Sequence, residues 1–440
     1  MRRKATTLLG GAALVTVLVL SGCVSSSGGN DSGSAQDLSK VTYKGTITMV
    51  NKFSDPTTSK FFPAMAKAFE KLHPGVTVNV QQTSDQAYKD KIKVLASSNS
   101  IPDIYFTWAG SYAKQFIDAG LAVNLTSQIG PGTAWGKTLA PSAVKAGEYG
   151  GKYYGIPIDL DAKFMLYNKK IFADNGVSVP TSLDGLLNTC KTLESKGIDP
   201  VAFGNLYGWP ALHYVTQLNA YNVPAATLNA DYYAKHGTFT NSGYVKSLQQ
   251  FKTILDSCVV NGSKTDGVND TDAMASFNTA KAAMYYDEWV GFGQITGQIA
   301  KDGWGIFKLP SAAGSSGDTG TLAGAPDLFL INSKSKNAPL AVAFMKFVVS
   351  KKNAQIQQTV MTGYPSPVLG SLTANNASPQ SIDALKAVNS ASGLAIWLDT
   401  VTPAPVASAF LAGGEALING SQSPQQVMKS VQQAAKSGGE

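Results

Sequence analysis

Arginine is missing from this 440-residue chain after Arg3. Sites that hold phosphate or carboxylate ligands by bidentate guanidinium forks are thereby excluded. The lysines are scattered, in no block longer than a pair, and the formal net charge of +7 falls to +4 once Arg2, Arg3 and Lys4 are set aside. Such a pattern carries no nucleic-acid footprint. Histidine is as scarce, with His73, His213 and His236 the whole set. No His-Glu-x-x-His pair, Cys/His cluster or Gly-x-Ser-x-Gly elbow occurs, so no metal, cofactor or catalytic residue is expected. Gly136-Lys137-Thr138 fails as a phosphate loop because Pro131 stands where the first glycine belongs and no strand leads into it. Beyond Cys23 no apolar run is long enough to span a bilayer.

What is present suits a globular chain with a full core: 44% apolar and 15% charged residues, at a length that allows two or three domains. Arg2, Arg3 and Lys4 make a basic start, and Leu8 to Leu20 is an apolar run of signal-peptide length. It ends in Leu20-Ser21-Gly22-Cys23, which resembles a bacterial lipobox. The resemblance implies cleavage after residue 22 and lipidation of Cys23, and two acyl chains would hold the protein on the outer face of the cytoplasmic membrane. Residues 24–39 are Ser/Gly-rich, a flexible tether reaching roughly 20 to 25 Å. Cys190 and Cys258 then remain. Each falls on an apolar helical stripe, which leaves a disulfide and two buried thiols equally open.

Strand and helix signals alternate. Thr46–Val50, Val76–Val80 and Ile104–Trp108 read as strands, separated by a helix carrying Phe62, Met65, Phe69 and Leu72 and by another over 86–97. The pattern resumes with helices over 183–193, 209–221 and 245–259, and strands over 200–203, 282–286, 303–309 and 327–331. Such alternation predicts mainly parallel sheets covered on both faces.

The stretch GGKYYGIPIDLDAKFMLYNKKIF, residues 150–172, sets the organisation. Two apolar strands flank Asp159 and Asp161 with no turn-forming glycine or asparagine between them, which reads as a passage between two bodies rather than a hairpin. Residue type alone makes such acids solvated loop residues. The motifs G-K-x-Y-G-I-P and x-L-Y-N-K-x-x-F, with P-D-I-Y-F-T-W-A-G, A-A-M and S-K-S-K-N, resemble bacterial extracellular solute-binding proteins of the sugar-transporter type. That resemblance implies an α/β, type II periplasmic-binding-protein-like fold. Its two lobes are joined by a three-segment hinge and enclose a central ligand cleft. The corresponding boundaries are a signal peptide over 1–22, lipidated Cys and tether over 23–40, one lobe from 41–160 with 325–363, and the other from 161–324 with 364–440.

Six tryptophans supply the second signal. Trp108, Trp209, Trp289 and Trp397 fall at strand ends or helix openings, positions that face the cleft of an α/β sheet; Trp135 and Trp304 read as packing. Indole plates match the apolar face of a pyranose, and nearby carboxylates accept its hydroxyls. Trp108, Trp209 and Trp289 are therefore expected to line one crevice. The resemblance places ligand contacts at Phe53, Ser54, Asp55, Asp85, Trp108, Asp161, Tyr207, Trp209, Glu288, Trp289, Asp327, Tyr364 and Trp397. It implies a monomer that carries an oligosaccharide or disaccharide to the permease of an ABC importer. The competing readings are a surface lipoprotein acting on glycosides, which could use carboxylate pairs such as Asp159/Asp161 and Asp287/Glu288, and a carrier of a non-sugar solute.

Overall fold

The computed structural model describes residues 37–233, 237–361 and 363–437. The signal segment, Cys23, most of the tether and His236 lie outside the described residues. From Leu38 onward the chain forms one compact unit. Nine strands build its two main sheets: β1 (Gly45–Asn51), β2 (Val76–Gln82), β3 (Ile104–Trp108), β4 (Ile156–Pro157), β5 (Lys163–Asn168), β6 (Asp199–Ala202), β7 (Ala282–Glu288), β8 (Trp304–Phe307) and β9 (Asp327–Ile331). The first sheet runs β2-β1-β3-β9-β4 and the second β8-β5-β7-β6. Every residue of β3 and β9 is buried. Successive side chains point to opposite faces, so both faces of that sheet are covered.

The expectation of mainly parallel sheets needs correction. β1 is parallel to β2 and β3, and β6 to β7. By contrast β9 is antiparallel to β3 and β4, and β5 is antiparallel to β7 and β8. A parallel partner requires a crossover of about a dozen residues or more, usually a helix. Strands β5 and β9 instead enter their sheets from the other body through short connectors, and they arrive in the opposite sense.

Helix α1 (Phe61–Leu72) buries Phe61, Phe62, Met65, Ala66 and Phe69. Leu72, expected on the same stripe, is 61% exposed because the helix ends there, ahead of Pro74-Gly75. Helix α2 (Asp85–Ser97) buries only Tyr88 and Ile92. Helix α3 (Trp209–Asn222) is buried from its second residue to its last, as befits a helix enclosed on all sides. Cys190 and Cys258, on the helices Leu183–Glu194 and Ser242–Cys258, form a disulfide with Cα atoms 5.0 Å apart. Of the two arrangements open in the sequence, the bonded one is adopted.

The chain passes from the first sheet to the second between Pro157 and Lys163, and back between Ala323 and Asp327. A third passage lies between Leu369, whose amide donates to Thr138 O, and Gln380, whose side chain donates to Trp304 O. It therefore falls later than the expected 363/364 boundary: the break at Gly363 ends a helix, but the extended chain beyond it still pairs with Leu139. At Gly110 the backbones of the two bodies approach closely. Its φ of +86° suits glycine, and a Cβ there would lie 2.7 Å from the Val401 Cα.

Candidate functional site

Cross-strand register assembles the site. In the first sheet Trp108, the last residue of β3, stands opposite Asp327, the first of β9. In the second, Lys163 at the start of β5 stands opposite Glu288 at the end of β7. Both pairs lie at the carboxyl ends of strands reached by α/β crossovers, where ligand crevices form. Lys52 follows β1, Asp85 opens α2, and Trp209 with His213 forms the first turn of α3. Asp161 lies in the β4–β5 connector.

Together they enclose a cleft of 340 Å³. Asp85, Trp108, Asp161, Tyr207, Trp209, Glu288, Asp327 and Trp397 all line it. Phe53, Ser54, Asp55 and Tyr364 line an adjoining hollow of 460 Å³ that shares Lys52, Asp85, Trp209 and Glu288 with the first. Phe53 is only 1% exposed, and its ring packs edge-on against Phe106 and Tyr364 in the first core. Trp289 corrects the expectation of a shared crevice. Its indole is fully buried, its Nε1 has no hydrogen-bond partner, and it packs in the second body with Phe292 and Trp304. Two adjacent residues of an extended chain point to opposite sides, and here Glu288 takes the cleft side. Trp135 and Trp304, read as packing, do not line the cleft.

Two lysines organise the charge. Lys52 Nζ lies 3.1 Å from Asp327 Oδ2 and 3.8 Å from Asp85 Oδ1, and 5.3 Å from the centre of the Trp108 ring. Burial pulls Lys52 down, but Asp327, Tyr364 and Asp85 outweigh it and hold it above the lysine range. Asp327 is pushed up to about 6 by burial, against the opposing pull of Lys52. In the second body Lys163 is 1% exposed. Its Nζ lies 3.0 Å from His213 Nδ1, 4.0 Å from Glu288 Oε1 and 4.8 Å from the Trp209 ring centre. His213 Nδ1 is also 3.1 Å from Glu288 Oε1, and its ring stacks on Trp397 with centres 4.1 Å apart. Burial and then Lys163 push His213 down, against the opposing pull of Glu288. Burial raises Glu288, but His213 and Lys163 more than offset this and hold it at about 2. Asp159 and Asp161, which residue type alone would solvate, are buried at 0% and 5% exposure.

Lys52, Lys163, His213, Asp270 and Asp399 were not anticipated as site residues. Signals for them existed: Lys163 is a lone charge in an apolar strand, His213 follows Trp209 by one helical turn, and Asp399 follows Trp397 by two. Among the described residues no group of three or more His, Cys, Asp or Glu side chains is placed to hold a metal ion.

The sequence model of the bacterial extracellular solute-binding proteins matches residues 54–355. The multiple sugar-binding protein of Streptococcus mutans serotype c is 25% identical over 313 residues, 69% of this chain and 71% of that protein. A chitin oligosaccharide binding protein superposes with a TM-score of 0.80 at 20% identity, over 90% of this chain and 100% of the other. The maltose/maltodextrin-binding domain from Bdellovibrio bacteriovorus bound to maltotriose gives 0.69 at 18%, over 89% and 99%. The fold is that of the type II periplasmic-binding proteins, with two lobes about a central cleft, and the chain belongs to the bacterial extracellular solute-binding protein family.

Proposed function

We propose that this protein binds an oligosaccharide or disaccharide in the cleft and delivers it to an ABC importer, without chemically changing it. The observation that carries the reading is the joint presence of Trp108, Trp209 and Trp397 with Asp85, Asp161, Glu288 and Asp327 around one cleft. Apolar plates alone would leave sugar hydroxyls without partners, at a cost of about 1–3 kcal/mol each; carboxylates alone would not hold the apolar ring face. The sugar-binding names of several relatives support the same reading. Because the lining comes from both lobes, a ligand contacting both favours the closed form, and differential contact is what shifts such an equilibrium. An extracytoplasmic place follows from the family, and the lipobox-like Leu20-Ser21-Gly22-Cys23 supports tethering to the membrane through lipid on Cys23. The sequence-adjacent acid pairs are split, with Asp159 lining neither hollow and Asp287 only the adjoining one.

Calorimetric titration of the protein against a panel of di- and oligosaccharides tests this. At least one sugar is expected to bind, and Trp209→Ala and Trp397→Ala should each weaken it by roughly tenfold or more, the loss of a stacked ring. Absence of binding across the panel, with binding of a peptide or an iron chelate, would overturn it.

A further inference from the structure

The cleft holds more carboxyl groups than its lysines pair with. Asp85, Asp161, Asp270, Glu288, Asp327 and Asp399 line it. Lys52 and Lys89 are engaged by Asp85 and Asp327, and Lys163 by Glu288. Tyr285 donates to Asp270. Two carboxylates are left over. Asp161, 5% exposed, accepts on Oδ1 from the Val290 amide at 3.3 Å, and its other oxygen has no hydrogen bond among the described residues. Asp399 Oδ1 is buried without a hydrogen bond, with His213 Nε2 at 3.9 Å, while the side chain as a whole keeps 15% exposure to the cleft. Burial, and then the neighbouring acids Glu288, Asp159 and Asp327, push Asp161 well above the usual carboxylate range. Hydroxyls of a neutral sugar could hydrogen-bond these oxygens but would not relieve the repulsion among the acids, whereas a cation in the cleft would favour the ionised form.

We infer that the saccharide carried here bears a protonated amine, an amino sugar with a free amino group, which Asp161 and Asp399 receive. This rests on the carbohydrate reading above and narrows it. An ammonium–carboxylate contact is charge-assisted and about twice as strong as a neutral hydrogen bond. The indoles of the cleft are also suited to a cation on their faces, and Trp397 lies two residues before Asp399.

The test uses matched sugars. Disaccharides and trisaccharides of several linkages are titrated in three forms: free amine, N-acetylated, and with hydroxyl in place of nitrogen. The free amine is expected to bind about tenfold tighter than its hydroxyl counterpart or more, with affinity falling as salt rises. Asp161→Asn and Asp399→Asn should each shrink that ratio toward one, in variants whose circular dichroism and thermal unfolding match the parent. If hydroxyl forms bind as tightly as amines, this inference fails while the carbohydrate reading stands. If no sugar binds in any form, both fail. If the ratio survives in both variants, the assignment to these two carboxylates is wrong.

Discussion

Replacing Lys163 by Met separates charge from packing at the base of the cleft. Methionine keeps most of the unbranched stem beneath Trp209 but removes the cation facing Glu288 at 4.0 Å. At an effective dielectric of about 20, a unit pair at that distance interacts by about 4 kcal/mol. The Glu288 shift bears on the same pair. Glu288 is held at about 2 instead of its ordinary 4.5, against burial, first by the hydrogen bond with His213 and then by Lys163. That shift, about 3 kcal/mol in all, is shared between the two partners. The Glu288 side chain keeps 24% of its exposure, so water screens part of the pair and the smaller figure is the better one. Lys163→Met should therefore lose about 2 to 3 kcal/mol of unfolding free energy at pH 7, since His213 stays beside Glu288. Urea is the right denaturant, since guanidinium salt would screen the pair. Glu288 has a lowered folded-state value, so its contribution is present above the ordinary carboxylate range and is lost as pH falls toward about 2. The gap between parent and variant should accordingly narrow below about pH 4.5. Adding Glu288→Gln should recover more than half of the loss. A deficit under about 1 kcal/mol, the size of an ordinary surface change, or a double variant no better than the single one, would refute the pairing.

Two further outcomes follow from the geometry. The Cys190–Cys258 bond spans a sequence separation of 68, so replacing both residues by Ala should cost about 4 kcal/mol in urea unfolding through the unfolded chain's regained freedom; a cost below about 1 kcal/mol would mean that packing, not the bond, secures those helices. Asp327 is raised by burial to about 6, against Lys52, so the native state holds its proton more tightly than the unfolded chain. Its contribution is present at low pH and lost as pH rises through about 6. Asp327→Asn should thus make urea stability vary less between pH 4 and 7, and an unchanged pH dependence would contradict this.

Much of the fold could be read in advance because its signals are local. Apolar periodicity marked α1, the buried runs marked β3 and β9, and the absence of a hairpin turn around Asp159–Asp161 marked a passage between sheets. Strand direction in β5 and β9 could not be read, since it depends on which body the chain comes from. Trp289 and Glu288 show the same limit within the site. Both stood at one strand end, yet the pleat sends one to the cleft and the other into a core.

By itself the sequence determined the two-sheet plan, the scarcity of arginine and histidine, and the tryptophans and acids available to a site, since all of these depend on residue type and near-neighbour spacing. Only the tertiary structure decided which charges are paired. Lys163 meets Glu288, and Lys52 meets Asp327, through cross-strand register and neighbouring strand ends across sequence separations that no local pattern encodes. Coulomb energy depends on distance and on the water excluded between partners, and neither exists until the strands have come together.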